Sequence, residues 1–370
     1  YPAVPGSVNS SQQNLQLSAQ QPLYRPASKL AYEQGQRGAD AARAQLSSAE
    51  QGLMVRVAQA YFDVLAAQDD LGVAQAQKRA TGRQLEAARR NFDVGAATIT
   101  DTREAQARLD LVAAQEIAAA NELQIRRVAL DQLVGTTGAQ PWPLAQGLPR
   151  QPMEPAEGMQ TWVETGLGNQ PQIRQAQLAL DIARLETEKA RAGHKPTVDL
   201  QAAYAINRYP DGSMTPSIPI GYRSNAASVG VVMNMPLFAG FAVQNRIAET
   251  VALEEKAQAQ LADTRRGVEQ AVRAAYLGVQ SAQAQAQALQ TALESSRTAL
   301  EANQLGYEVG VRINIDVLNA QSQLYQTERD LARARYQLVT SRLRLRQAAG
   351  VLGDGDIQAT NALLQAPTQR

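Results

Sequence analysis

Cysteine is absent from the 370-residue chain, which excludes disulfides, thiol nucleophiles and thiolate metal sites. Aromatic residues amount to only 5%, and no stretch approaches the roughly 20 apolar residues of a membrane-spanning helix. Any crossing of a membrane would therefore have to be made by strands. A composition rich in Ala, Gln, Leu and Arg favours long helices over a compact mixed core.

An excess of charge of one sign is also absent, since 36 Lys and Arg face 35 Asp and Glu, for a formal net charge of +1. No global field recruits nucleic acid, so we expect no nucleic-acid partner. Histidine occurs once, and the sequence has neither a Gly-rich phosphate loop nor carboxylates clustered for a pocket. We therefore expect no enzymatic activity, no metal site and no cofactor.

The chain does contain a long internal repeat that is best preserved at a glycine turn. Phe92–Gly95 (Phe-Asp-Val-Gly) returns as Tyr307–Gly310 (Tyr-Glu-Val-Gly), at an offset of 215 positions (310 − 95). The same offset relates Gly135 to Gly350. A register kept over such a distance predicts a duplicated structural unit.

The segment before each glycine turn is typical of a very long helix. Between Ser28 and Asn91 there is no proline and glycine is sparse, and a helix of this length would extend roughly 95 Å. Apolar residues recur at a spacing of seven, which predicts coiled-coil packing. These spine positions are Val57, Val64, Leu71, Leu85 and Phe92 in the first copy and Val272, Val279, Ala286, Leu293 and Leu300 in the second.

The turn glycines can adopt the left-handed backbone that ends a helix. A return helix then starts at Thr98 or Thr100 in the first copy and at Asn314 in the second, because the side-chain oxygens of these residues can cap free amides. The predicted unit is a helical hairpin that is present twice.

Period-two alternation predicts three strands beside the helices. Apolar residues fall on odd positions at 14–19 and 228–237 and on even positions at 196–208. One apolar and one polar face fit either a half-buried soluble sheet or a barrel with lipid outside and water inside, and the strand lengths favour the barrel. Pro22 and Pro236 lie where strand gives way to helix, so the sheet must end or bulge there.

The strand count bears on oligomerisation. In the second copy, a helix at 171–192 and a strand at 196–208 precede the last strand, and the repeat predicts that about 45 residues with the same elements precede Tyr1. Four strands per protomer cannot close a barrel, so closure needs several copies. Two copies would give an eight-stranded barrel filled by side chains, and three would give twelve strands around a water channel.

The sequence divides into two repeats and two shorter segments. The predicted bounds are 1–135 for the first repeat (strand 12–23, helices 28–92 and 98–135), 136–168 for a connector with a short helix at Met159–Gly166, 169–352 for the second repeat (helix 171–192, strands 196–208 and 227–238, helices 242–307 and 314–350) and 353–370 for a C-terminal segment. The connector and the C-terminal segment are expected to form an equatorial region outside the coiled coil.

Three runs carry a family resemblance: Arg90–Asp101, Gly306–Arg312 followed by Ile315–Leu318, and Gly193–Leu200. Together they resemble the TolC family of outer-membrane efflux and type I secretion channels over nearly the whole chain. The resemblance implies a mainly α fold with a small β part: a homotrimer with a twelve-stranded barrel in the outer membrane of a Gram-negative bacterium and an α-barrel of long hairpins in the periplasm. It also implies outer-membrane lipid, a periplasmic adaptor protein and an inner-membrane ABC or proton-driven pump as partners.

The two hairpin tips differ at two positions, since Phe92 becomes Tyr307 and Ala97 becomes Arg312. The residues alone predict that Tyr307 only packs against its neighbours and that Arg312 is a solvent-exposed capping residue. The resemblance implies instead a latch that holds the tip closed by tying the second hairpin to the first. The implied latch residues are Thr100, Asp101, Tyr307 and Arg312.

The resemblance implies two further sites at the tips. Asp316 matches an aspartate that rings the constriction and favours cations, whereas Asn319 stands where the most TolC-like members carry a second aspartate. Three carboxylates rather than six would then line the ring of a trimer, which weakens the expected block by cations. The expected docking residues for the adaptor are Val94, Gly95, Val309 and Gly310.

These features predict an exit duct that passively conducts drugs, small molecules or secreted proteins from the pump to the outside, with a gate at the periplasmic tip. The alternative is a periplasmic adaptor-like coiled coil without a barrel. Such a protein would need a β-domain between its helix arms, whereas here only a short glycine turn separates them.

Overall fold

The computed structural model describes residues 11–145, 158–211, 213–214, 217–218 and 220–365. The helices are α1 (Pro26–Asp93), α2 (Ile99–Val134), α3 (Met159–Asn169), α4 (Pro171–Arg191), α5 (Ala242–Glu308), α6 (Asn314–Ala348) and α7 (Asp354–Asn361). The strands are β1 (Gln13–Tyr24), β2 (Thr197–Tyr209), β3 (Ser213–Met214), β4 (Ser217–Ile218) and β5 (Tyr222–Asn234). The chain separates into two compact units, Tyr1–Ala42 with Ala176–Leu261 and Arg43–Gln175 with Ala262–Arg370.

The first unit contains a three-stranded antiparallel sheet in the order β1-β2-β5. Its register places the predicted apolar positions on one face, because Leu17 lies opposite Tyr204 and Leu200 lies opposite Val231. Leu17 and Val231 are 74% and 62% exposed in the single chain. The sheet therefore has a continuous apolar face that is open to its surroundings.

Both predicted proline sites coincide with irregular pairing. β1 carries a bulge between Pro22 and Tyr24, and β5 ends at Asn234, shortly before Pro236. Proline has no amide to donate to a ladder, so pairing must be interrupted where it occurs.

β5 lies earlier in the sequence than the alternation indicates. The predicted strand was 227–238, whereas β5 spans Tyr222–Asn234. The strand does not continue to 238, because Pro236 has no amide to donate. It begins before 227 because β5 pairs with the full length of β2, out to Tyr222 opposite Tyr209. The two tyrosine rings stack at 4.7 Å, which stabilises the pair at that end.

Two charged clusters tie helices and strands together within the first unit. Arg25 donates through Nε and Nη2 to the two carboxylate oxygens of Asp199, at 2.9 and 2.8 Å. Glu186 in α4 accepts hydrogen bonds from Gln34 (2.9 Å), Lys189 (3.0 Å) and Arg246 (2.7 Å). These bonds, led by the one from Gln34, lower the pKa of Glu186 from 4.5 to about 2.

The second unit contains most of both hairpins. α1 and α5 have 68 and 67 residues, and the return helices α2 and α6 have 36 and 35. Spine residues of both copies are buried, among them Val64, Leu85, Val272, Val279 and Leu293. None of the described helices carries an apolar stretch sufficient to span a bilayer.

A short region outside the hairpins contains α3 and α7. Leu144 and Leu364 form an antiparallel bridge that brings the connector beside the C-terminal segment. The alternation and spacing of the sequence did not predict α7. The first ten residues, 146–157 of the connector and 366–370 of the C-terminal segment lie outside the described residues.

Candidate functional site: the two hairpin tips

The first tip is closed by backbone hydrogen bonds at the end of α1. The carbonyl of Asn91 accepts from the amides of Ala96 (2.7 Å) and Ala97 (3.1 Å). Gly95 has a φ of 73°, in the left-handed region that costs a glycine least. The glycine turn therefore ends the helix as its sequence predicts.

The second tip has the same closure. The carbonyl of Gly306 accepts from the amides of Val311 (2.8 Å) and Arg312 (3.0 Å), and Gly310 has a φ of 79°. The repeat thus extends to the individual backbone hydrogen bonds that close each turn.

The cap of α2 is Thr98 rather than Thr100. The hydroxyl of Thr98 accepts from the amide of Asp101 at 3.3 Å, and Asp101 Oδ2 accepts from the amide and the hydroxyl of Thr98 at 3.0 and 2.9 Å. Such reciprocal capping satisfies amides that the first turn of a helix leaves free. The carboxylate of Asp101 is therefore engaged within its own hairpin.

Asn314 does not cap α6, contrary to the sequence-based prediction. The N-cap is Ile313, which makes no side-chain capping bond. The Asn314 side chain instead accepts from Gln84 Nε2 at 2.6 Å and donates to the backbone carbonyl of Asp101 at 3.2 Å. Sequence reasoning missed this contact because its partners lie in the other repeat.

The predicted latch residues of the second tip contact other groups within one chain. The hydroxyl of Tyr307 accepts from Asn91 Nδ2 at 3.3 Å, and the guanidinium of Arg312 lies 3.7 Å from Asp316 Oδ2. Within the part of the chain that the structure describes, no hydrogen bond or ion pair joins Tyr307 or Arg312 to Thr100 or Asp101. The latch remains a prediction.

The stem of Arg312 packs against a helix position that has no side chain. A Cβ added to Gly306 would lie 2.7 Å from Arg312 Cγ and 3.3 Å from Arg312 Cβ. In the first tip the corresponding positions are occupied by Asn91 and Ala97. There the larger residue is at the helix position and the smaller one follows the turn, the reverse of Gly306 and Arg312. Gly306 thus makes room for Arg312, a role that the sequence reasoning did not assign.

The two predicted constriction residues both face a guanidinium. Asp316 is paired with Arg312, in contact with solvent. Asn319 Oδ1 accepts from Arg108 Nη2 of α2 at 2.9 Å. The local charge at these positions is therefore more balanced than a carboxylate ring alone would give.

The predicted docking residues form the exposed ends of both tips. Val94 and Val309 are 78% and 65% exposed, and a Cβ added to Gly95 or Gly310 would contact nothing within 4 Å. Val311 is exposed as well and adds to the apolar surface. No group of acidic or histidine side chains among the described residues is arranged to hold a metal ion.

Comparisons with known proteins show which family the chain resembles in sequence. The sequence model of the family described as "Outer membrane efflux protein" matches residues 5–136 and 162–351. The chain is 32% identical to outer membrane protein TolC of Vibrio cholerae, over 93% of this chain and 78% of that protein. It is 33% identical to the alkaline protease secretion protein AprF of Pseudomonas aeruginosa, over 94% of this chain and 71% of that protein.

Solved structures show the same fold at lower sequence identity. The outer-membrane channel OprN superimposes with a TM-score of 0.76 at 18% identity, over 93% of this chain and 82% of OprN. The outer membrane protein VceC of Vibrio cholerae gives a TM-score of 0.75 at 18% identity, over 92% of this chain and 87% of VceC. With its duplicated hairpins and glycine-closed tips, the chain belongs to the outer membrane efflux protein family.

Proposed function

We propose that the chain is the outer-membrane exit duct of a tripartite export system. In this proposal a homotrimer receives cargo from an inner-membrane ABC or proton-driven pump through a periplasmic adaptor and conducts it passively to the outside. The observation that carries the proposal is the pair of hairpins with equivalent tips, each built on a helix of 67 or 68 residues. At 1.5 Å per residue such helices extend roughly 100 Å, a length that fits the wall of a long channel better than the lining of a compact pocket.

The sheet supports placement in the outer membrane. Its apolar face includes Leu15, Leu17 and Val229, which are 70%, 74% and 78% exposed in the single chain. Lipid is the surrounding that makes such exposure favourable. The outer strands β1 and β5 need partners for their free backbone groups in lipid, and neighbouring subunits would supply them.

The gate is proposed to lie at the tips, with the latch made between subunits. Tyr307 and Arg312 of one subunit would contact Thr100 and Asp101 of the next, since their contacts within one chain are with other groups. Exposed contacts of this kind contribute about 0–1 kcal/mol each. A trimer would have three such sets of contacts, one at each subunit interface. A partner that docks at Val94–Gly95 and Val309–Gly310 can therefore release them.

The similarity to a relative named for the secretion of alkaline protease supports secreted proteins as one class of cargo. A duct recognises cargo only by size and charge, so small molecules and drugs fit the same path. The work of transport is done by the pump, and the duct itself needs no catalytic group.

Reconstitution of the purified protein into planar lipid bilayers tests the proposal. We expect a detergent-dependent trimer by analytical ultracentrifugation and stepwise single-channel currents in the bilayer. A chain that is monodisperse without detergent and inserts no channels would overturn the proposal and favour the adaptor-like alternative. Because the chain contains no cysteine, single engineered cysteines at the tips can report subunit contacts by cross-linking.

A further inference from the structure

One fully buried amide joins the two hairpins beside their tips. Asn314, the first residue of α6, is 0% exposed. Its two hydrogen-bond partners, the Gln84 side chain and the Asp101 carbonyl, belong to α1 and α2. A single side chain of the second hairpin therefore bonds to both helices of the first.

The amide exists in only one copy of the repeat. The position equivalent to Asn314 in the first copy is Ile99 (314 − 215), an apolar residue that is 48% exposed. The contact is thus a point where the two copies have diverged, together with Tyr307 and Arg312.

The surroundings of Asn314 favour one geometry. The next residue, Ile315, packs against a buried cluster that joins α1, α2 and α6. The members of this cluster are Leu85, Ala88, Ala105 and Leu318. In such surroundings an unpaired amide is unfavourable, so the two hydrogen bonds specify one separation of the hairpins.

We propose that Asn314 is a positioning residue of the gate, which fixes the first turn of α2 against α6 and must be released when the hairpins separate. The proposal rests on the gated duct of the proposed function. By bonding to the backbone of Asp101, Asn314 leaves the carboxylate free to cap with Thr98. The first turn of α2, with the latch residue Thr100, is then held from both sides.

Release of this contact has a two-state character. Separation of the hairpins breaks both bonds and lets water reach the freed groups, whereas a partial separation leaves a buried amide unpaired. The tip therefore favours a fully closed or a clearly separated arrangement.

Single-channel recording in planar bilayers gives the first test. Asn314→Ala should raise the ratio of open to closed time about tenfold, from the loss of two hydrogen bonds. Gln84→Ala should give a smaller increase, and the double variant should open less than the two single effects multiplied, because both remove the same bond. The control is Asn303→Ala, since the Asn303 amide donates to the Ala299 carbonyl of its own helix, at 2.8 Å, and among the described residues it makes no hydrogen bond to the other hairpin.

Hydrogen exchange in detergent gives a second test that does not require a conducting channel. Asn314→Ala should speed the exchange of amides at 98–105 about tenfold and leave those of α3 unchanged. Equal acceleration in both segments would indicate a general loss of stability and would overturn the positioning role. An open ratio in Asn314→Ala no higher than in Asn303→Ala would also overturn it, whereas a wild-type protein that inserts no channel would overturn the proposed function itself.

Discussion

Replacing Gly306 by alanine tests whether the packing of Arg312 at this position outweighs the usual preference of a helix for alanine over glycine. In an exposed helix interior, alanine in place of glycine stabilises by about 1 kcal/mol. At Gly306, however, the new Cβ would lie 2.7 Å from Arg312 Cγ, a distance at which the arginine stem must move. Overpacking of this kind costs about 1–3 kcal/mol. We therefore expect Gly306→Ala to destabilise the tip by about 1 kcal/mol, opposite in sign to the usual effect.

The assay is hydrogen exchange at the amides of Val311 and Arg312, which donate to the Gly306 carbonyl at 2.8 and 3.0 Å. A loss of about 1.4 kcal/mol in local opening free energy accelerates exchange tenfold, so we expect an acceleration of about five- to tenfold. The matched control is Gly267→Ala, also in α5, where an added Cβ meets nothing within 4 Å. That variant should leave exchange at the tip unchanged.

A double variant identifies the arginine as the cause. Combining Gly306→Ala with Arg312→Ala removes the Cγ atom that lies 2.7 Å from the new Cβ and leaves Cβ at 3.3 Å, so protection at Val311 should return most of the way to the wild-type level. If Gly306→Ala slows exchange as alanine does elsewhere in a helix, or if the double variant is as fast as the single one, the packing of Arg312 against Gly306 plays no part in tip stability.

Three further outcomes are expected. Because folding lowers the pKa of Glu186 from 4.5 to about 2, its stabilisation is present above pH 4.5 and lost as the pH falls towards 2; thermal melts of Glu186→Gln should show a weaker acid dependence. Arg312→Ser with Tyr307→Phe should raise conductance in planar bilayers, and an unchanged conductance would contradict the latch. Asn319→Asp should increase block by multivalent cations added from the tip side, and Asp316→Ala should decrease it; equal block in all three proteins would place neither residue at the constriction.

The fold is predictable from the sequence where its signals are local or repeated. The seven-residue spacing marks Val64 and Val279 as buried spine residues, and alternation gives the apolar face of the sheet. Pro22 locates the bulge in β1, because proline has no amide hydrogen and interrupts the strand pairing at the position where it occurs. These features need no knowledge of distant partners.

The contacts at the tips could not be predicted from the sequence, because they join residues that are far apart along the chain or lie on both sides of a turn. Asn314 resembles a helix cap in sequence, and only the packing of α6 against α1 and α2 shows that its amide bonds to Gln84 and Asp101. Gly306 resembles a tolerated helix glycine until the stem of Arg312 is placed over it. Family resemblance marked Tyr307 and Arg312, but their neighbours within one chain differ from the expected latch partners.

The exchanged sizes at the tips constrain how the two copies could diverge. Asn91 with Ala97 and Gly306 with Arg312 each combine a larger residue with a smaller one. A tip with small residues at both positions has no steric conflict, whereas a Cβ at 306 would lie 2.7 Å from the arginine stem at 312. The two positions of each tip are therefore coupled, because the residue at one position changes the cost of a substitution at the other.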